Sequence, residues 1–300
     1  MAITLAQLQA LRALALHGSF TRAADSLGVT QPAVSQQIAA LARALDLRLV
    51  ETVEHRPRLT NAGRFVSERA DELARGIDAL VRESREYAAG ERGTLHIAAT
   101  LTIGNYLLPS LIASFCRRYE NVSPRVQVVN TETVGERIRN GDASLGLIEG
   151  RLSDDLFAVE PFAQDRMVVV LPAHGHRLSN ATRLRAGDLA DEPFVSREIG
   201  SGTRGYGYDT LVASGVRPRL VLELPGGEAI VRAVEAGLGI AILSERVVAR
   251  AAALGAVKIA TLEDLPMERD FSVVYVRERV LPPVGQAFAL HVHQAMATEE

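Results

Sequence analysis

The stretch GSFTRAADSLGVTQPAVSQQIAAL, Gly18 to Leu41, decides how this chain reads. Ser19 is placed to cap a short helix whose buried side is Phe20, Ala23, Ala24 and Leu27, because its side-chain oxygen can accept an otherwise orphaned backbone N–H. Gly28 then supplies the positive φ that a tight turn needs. Thr30 is expected to cap the next helix, with Pro32 in its first turn, where a missing N–H costs nothing. On that helix Val34, Ile38, Leu41 and Leu45 recur at steps of four, three and four and form one apolar stripe. The opposite face carries Pro32, Ala33, Gln36 and Arg43, with Ser35 on its flank and Gln31 at its start. Small and amide side chains there let a helix approach the DNA major groove closely and hydrogen-bond to base edges. Helix-turn-helix geometry needs a small residue where two helices meet, a turn glycine and a β-branched core residue in the second helix. Ala24, Gly28 and Val34 fill those places. The competing reading is a plain three-helix bundle with a polar outer face.

Outward from this core, Leu5, Leu8, Leu11 and Ala15 predict a preceding helix, stopped at His17 to Ser19. From Thr60 to about Ala89 there is no proline, and Val66, Ala70, Leu73, Ile77, Leu80, Ser84 and Tyr87 recur at steps of four and three. That is a heptad seam, the pattern of two helices packed as a coiled coil. The alternative is that this seam packs on the rest of its own chain. A two-fold protein matches a two-fold DNA site, which favours the dimer.

The segment Gly18–Leu41 resembles the LysR-type transcription regulators nearly end to end. The resemblance implies double-stranded promoter DNA as partner, read by Thr30, Gln31, Pro32, Ser35 and Gln36 at the start of the third helix, with Arg43 further along. LRLVETVEHRPRLTNAG, Leu47 to Gly63, looks like the family's two-stranded wing, with Arg56 and Arg58 on phosphate. The chain departs from the family at Thr52, where arginine is usual, and at Glu54, where a small turn residue is usual. The implied architecture is α plus α/β. A winged helix-turn-helix occupies residues 1–60, a linker and dimerisation helix 61–90, and a two-lobed, periplasmic-binding-protein-like effector domain 91–300. One lobe would take in about 91–163 and 269–300, the other about 164–268, with crossings near Phe162 to Arg166 and Leu265 to Arg269. A homodimer, paired again into a tetramer, and RNA polymerase are further partners that the resemblance suggests.

Composition sets outer bounds. Net charge is −3, which argues against a uniformly basic coat, although arginines outnumber carboxylates over residues 1–60. So weak a basic tilt calls for more than one copy on DNA, because phosphate neutralisation supplies most of the affinity. Cys116 is the only cysteine, so an internal disulfide is excluded and a reducing cytoplasm is expected. The apolar runs are too short to span a bilayer, and the first residues lack a basic leader and cleavage site, so neither membrane insertion nor secretion is expected. A periplasmic solute-binding protein would share the two-lobed fold but need that leader and no DNA module.

Beyond Gly93 strands and helices alternate, which argues for parallel sheets. TLHIAAT, RVQVVN, SLGLIEG, RMVVVLP, FVSREI, RLVLEL, IAIL and DFSVVYV read as strands. GNYLLPSLIASFCRRY reads as a helix with a kink or late start at Pro109. A ligand is expected between the lobes, at strand ends and helix N-termini, where free N–H groups favour anions. Thr100, Leu101 and Thr102 form one such junction, which the family uses to line its effector site. REIGSGTR forms the other, with Arg197, Ser201, Gly202, Thr203 and Arg204 suited to a carboxylate or inorganic oxyanion. Simple helix capping is the competing account of each threonine. Glu149 ends a strand facing the same cleft and either selects an amino acid-like or protonated oxyanion ligand or salt-bridges Arg197. TIGNYLLP, LGLIEG and REIGSGTR together look most like regulators of sulfur assimilation and carbon fixation, implying a small sulfur oxyanion or short carboxylic or amino acid and no cofactor.

Gly200, Gly202 and Gly205 also spell G-x-G-x-x-G after a strand, with Glu223 ending the next, which makes an NAD(P)-binding oxidoreductase the rival. That rival leaves the N-terminal motifs unexplained, and Arg204 would crowd the pyrophosphate. His174 with His176, and His291 with His293, lack the further ligands of a metal site. Cys116 shares an apolar helix face and reads as core, and no catalytic constellation is found.

Overall fold

The computed structural model describes residues 3–54, 56–150, 152, 154–265 and 267–297. It forms two compact units, Met1–Arg85 and Glu86–Glu300.

In the first unit, α1 (Leu5–His17), α2 (Phe20–Leu27) and α3 (Gln31–Leu45) pack around Leu11, Leu14, Ala23, Ala24, Val34, Ile38 and Leu41. Burying each large aliphatic side chain stabilises the bundle by about 1.5–3 kcal/mol. Ser19 caps α2 as expected, and Gly28 closes it with φ +65°. Thr30 stands at the start of α3 in extended conformation, but its hydroxyl makes no capping bond. An N-cap oxygen ordinarily takes the N–H of the second or third helical residue. Here the second is Pro32, which has none.

A hairpin of β1 (Val50–Val53) and β2 (Arg56–Leu59) follows, paired from Val50↔Leu59 to Val53↔Arg56. Glu54 at its tip has φ +49°, the left-handed region that favours a small residue. Thr60 then caps α4 (Asn61–Ala88), accepting the Gly63 N–H at 2.9 Å while donating to the Arg48 carbonyl at 2.6 Å. Gly63 is required there, since a Cβ would sit 2.0 Å from the Leu49 carbonyl oxygen. The heptad seam on α4 divides in two. Val66 and Ala70 are buried, Val66 within the bundle core, whereas Leu73, Ile77, Leu80 and Tyr87 are exposed.

The second unit runs β3 (Arg92–Thr100), α5 (Leu101–Tyr106), α6 (Leu108–Arg118), β4 (Asn121–Val129), α7 (Thr131–Asn140), β5 (Leu145–Glu149) and β6 (Phe157–Pro172). The helix expected around Pro109 is broken at Leu107 into α5 and α6, with the proline in the first turn of α6. Then come β7 (Arg183–Leu184), a 3-10 turn, and β8 (Pro193–Arg197). A continuous helical segment follows, made of α8 (Gly202–Arg204), a π-helical stretch and α9 (Thr210–Ala213). The chain ends with β9 (Arg219–Leu224), α10 (Gly227–Glu235), β10 (Ala241–Ser244), α11 (Glu245–Ala253), β11 (Val257–Leu262), β12 (Glu268–Val276) and α12 (Pro283–Ala297).

The main sheet has the order β4-β3-β5-β12-β6-β11-β7, with β10 also on β6. Only part of it is parallel. β3, β4 and β5 run together, but β12 is antiparallel to β5 and β6, and β6 is antiparallel to β10 and β11. The departure from an all-parallel sheet has one cause: β6 is a 16-residue strand that serves both lobes. Its residues up to Arg166 pair with β12, and from Met167 onward it pairs with β10 and β11. Aliphatic clusters cover both faces of each half. No helix among the described residues is long and apolar enough to cross a membrane.

Candidate functional site

On α3 the buried stripe settles which residues face outward. Val34, Ile38 and Leu41 are at most 4% exposed, and Gln31, Pro32, Gln36 and Arg43 stand open on the other side. Ser35 is half-buried on the flank, and Thr30 is exposed with its hydroxyl uncommitted. Arg56 and Arg58 alternate with half-buried Pro57 on β2, so both guanidinium groups project from the same exposed face. Among the described residues none of Arg43, Arg56 and Arg58 has an ion-pair partner, which leaves each available to phosphate.

In the second unit the expected residues gather where the two lobes meet, but their partners differ from expectation. Thr100 ends β3, and its hydroxyl donates to the Glu149 carboxylate in a short hydrogen bond. Glu149 and Thr100 are each 1% exposed. Of the two readings of Glu149, the ion pair with Arg197 is not formed. Arg197 instead holds Glu198 through two bonds, Nε to Oε2 at 2.8 Å and Nη2 to Oε1 at 2.9 Å. A carboxylate on the adjacent residue can be reached without crossing between lobes, and it wins the guanidinium. Arg204 also turns away from the lobe junction. It pairs with Glu223 and Asp209 and donates to the Arg197 carbonyl at 3.0 Å. Both arginines expected to meet an anion are thus already neutralised by carboxylates.

The lobes touch directly at Gly202. Its N–H donates to Thr131 Oγ1 at 3.1 Å, and the Thr131 hydroxyl donates to the Glu149 carbonyl at 3.1 Å. A Cβ on Gly202 would lie 2.1 Å from that same carbonyl oxygen, so only glycine permits the approach. Gly200 takes φ +83°, and Gly205 meets nothing within 4 Å. Gly200 and Gly202 of the G-x-G-x-x-G run thus serve a turn and a lobe contact.

Beside this contact lies a cavity of about 560 Å³ whose wall includes Thr131, Glu132, Ser201, Gly202, Tyr206 and Asp209. Of the expected effector residues its wall takes in Ser201 and Gly202, but not Thr100, Leu101, Thr102, Glu149, Arg197, Thr203 or Arg204. Leu101 opens α5 and faces Gly226 across the lobes. Thr102 and Ser201 are buried, and among the described residues neither hydroxyl has a hydrogen-bond partner. Thr203 accepts from Arg269 Nη1 at 3.0 Å.

Thr131, Asp165, Ser244 and Arg269 escaped the sequence reading. Thr131 was within reach, because VVNT is a strand-to-helix junction of the same kind as IAAT followed by Leu101. No local pattern marks the other three.

Among the described residues no cluster of His, Cys, Asp or Glu could hold a metal. Three of the four paired histidines have other contacts. His176 meets Glu192 at 2.9 Å, His291 meets Ser114 at 2.7 Å, and His293 lies 3.6 Å from Glu160.

Residues 5–64 match the bacterial regulatory helix-turn-helix protein, lysR family, and residues 88–297 match the LysR substrate binding domain. The chain belongs to the LysR family of transcriptional regulators. This LysR-family regulator is 31% identical over 257 residues to the HTH-type transcriptional regulator CysL of Bacillus subtilis (strain 168), covering 86% of each chain. Its relatives CysL, CmpR and the probable RuBisCO transcriptional regulators fit the sulfur-assimilation and carbon-fixation branch that its motifs resemble. Full-length CbnR complexed with its target DNA shares the fold, with TM-score 0.78 at 20% identity over 98% of this chain and 99% of that one. The regulatory domain of Synechocystis PCC6803 CcmR in complex with 2-PG is 26% identical, with TM-score 0.64, covering 68% of this chain and 98% of the domain. Its relatives are named regulators rather than enzymes, and nothing among them supports the oxidoreductase reading.

Proposed function

We propose that this LysR-family regulator acts in the cytoplasm as a homodimer, paired again into a tetramer, that reads promoter DNA with α3 and senses a small acid between its lobes. One observation carries the DNA part. The edge formed by Gln31, Pro32 and Gln36 is exposed on a helix whose other side is locked into the bundle core. Gln36 then suits an adenine edge, and Arg43, Arg56 and Arg58 suit phosphates. The exposed half of the seam, Leu73, Ile77 and Leu80, suits an identical helix.

For the effector, unpartnered buried hydroxyls at Thr102 and Ser201 supply donors without fixed positive charge. Glu132 lines the cavity, and its other carboxylate, Asp209, is already paired with Arg204, so a highly charged anion is disfavoured. The ligand class that fits is a small monoanion or zwitterion, such as hydrogen sulfite or a short hydroxy or amino acid. The 2-PG-bound CcmR domain supports a small-molecule effector in this type of domain.

Footprinting on fragments of the source genome at physiological salt, with and without candidate acids, tests the whole reading. A protected two-fold site whose outline changes with one acid is the expected result. Equal affinity for genomic and scrambled fragments under every condition would sink it.

A further inference from the structure

The hydroxyls at the lobe junction differ in which half of their hydrogen-bonding capacity is still open. A hydroxyl has one proton and two lone pairs. Thr131 has spent its proton on the Glu149 carbonyl and a lone pair on Gly202. Thr100 has given its proton to the Glu149 carboxylate, so toward a ligand it can only accept. Thr203 is the reverse case. Arg269 Nη1 donates to it, a guanidinium cannot accept in return, and among the described residues none takes the Thr203 proton.

Arg269 is held in place for this contact. It sits directly opposite Asp165 where β12 crosses β6, and the two side chains are 0% and 1% exposed. Asp165 Oδ2 accepts from Nε at 2.8 Å, and Ser244 donates to Oδ1 at 2.7 Å. A buried ion pair is by itself weak evidence for stability, since desolvation can exceed the Coulombic gain. This one is not optimised for itself either. Arg269 Nη2 lies 2.8 Å from Asp165 Oδ2, yet it is buried without a well-formed hydrogen bond, while Nη1 is extended to the turn at Thr203.

We infer that Arg269 is a positioning residue of the effector site: anchored by Asp165, it fills the acceptor side of Thr203 and commits that hydroxyl's proton to an acceptor atom on the ligand. The carboxylate or oxyanion end of the ligand therefore lies at Thr203, and any donor end lies toward Thr100 and Glu149. This rests on the reading that Thr203 belongs to the effector site.

The test is calorimetric titration of the full-length protein with sulfite, glycolate, lactate and glycine, the tightest binder serving as probe. Asp165→Asn/Arg269→Gln keeps a neutral pair of similar volume, but the glutamine oxygen can capture the Thr203 proton. It is expected to weaken probe binding at least tenfold while operator affinity without probe stays within twofold. If that protein does not fold, Arg269→Lys, which keeps the charge but not the fork, is expected to weaken binding severalfold. Thr203→Val should lose as much as the neutral pair, and Thr203→Ser should stay within twofold of the parent. In the Thr203→Val background the change at Arg269 should add less than twofold, which a merely structural role would not produce. A loss on Thr203→Val with full affinity retained by the Arg269 variants overturns the inference and leaves the site intact. No loss on either removes Thr203 from the site and overturns both. Failure of every probe to bind the parent protein overturns the acid reading and the inference with it.

Discussion

The reading edge of α3 and the junction between the lobes carry recognition in opposite ways. On α3 the side chains that matter are exposed and, among the described residues, unpaired, and the residues that aim them lie on the other side of the same helix. At the lobe junction the corresponding side chains are buried, and most already hold a partner. The lesson concerns what a substitution removes. On the exposed edge it removes a contact with a partner molecule and little else. In the buried junction it also strands whatever the side chain was holding, so stability and response move together.

The sharpest way to break this contrast is Gly202→Ala. With the new methyl 2.1 Å from a backbone carbonyl, the lobes cannot close as they do. The effector-induced change in the footprint should disappear, and overpacking of about 1–3 kcal/mol should lower the melting temperature by a few degrees. A parent-like response would mean that this lobe contact is not used. Gln36→Ala tests the other side. Specific operator affinity should fall about tenfold, from the loss of one bidentate base contact, with the melting temperature and random-DNA affinity unchanged. Equal losses on operator and random DNA would move Gln36 from base reading to phosphate. Thr102→Ala removes a hydroxyl that holds nothing else, so effector affinity should drop about fivefold, the worth of one neutral hydrogen bond, without loss of operator binding. A parent-like titration would exclude Thr102. Arg58→Ala should weaken operator and random DNA alike, about threefold, and reduce the salt slope by about one. An unchanged slope would take the wing off the backbone.

The smallest effect is a pH dependence confined to the second unit. Burial pushes the His291 pKa below its ordinary value near 6.5, with Arg118 adding to the depression and a hydrogen bond to the Leu111 backbone opposing it. The unfolded chain then binds the proton more readily than the folded one. The stabilisation is present above about pH 6.5 and is lost as pH falls through that value toward the lowered folded one. His291→Gln should flatten the melting temperature between pH 7 and 5, and an unchanged slope would assign it to other groups.

The same contrast explains what the sequence disclosed. Capping at Ser19, the turn at Gly28 and the stripe from Val34 to Leu41 are local, so spacing alone exposes the reading edge. The local exception is the uncapped Thr30, where Pro32 removes one of the two N–H groups a cap can use. The second unit was legible as strands and helices, but not the mixed direction of its sheet, since strand direction depends on how β6 and β12 return between lobes. Side-chain partners were the least legible. Arg197 and Arg204 sit on a glycine-rich turn that looks open to an anion, but Glu198, Glu223 and Asp209 compete for them. Asp165 and Arg269 lie 104 positions apart, and neither shows in its own neighbourhood that it has a partner.

The long strand β6 has a mechanical consequence. Because β6 and β12 stay hydrogen-bonded through the crossover, the lobes are joined by a pleated ribbon and not by slack chain. Such a ribbon carries the right-handed twist of paired strands, so a change of twist is the motion that keeps its ladder intact. An occupied cleft would therefore impose a small, elastic change of twist, and the regulator would reset as soon as the effector departs, with no covalent step to undo.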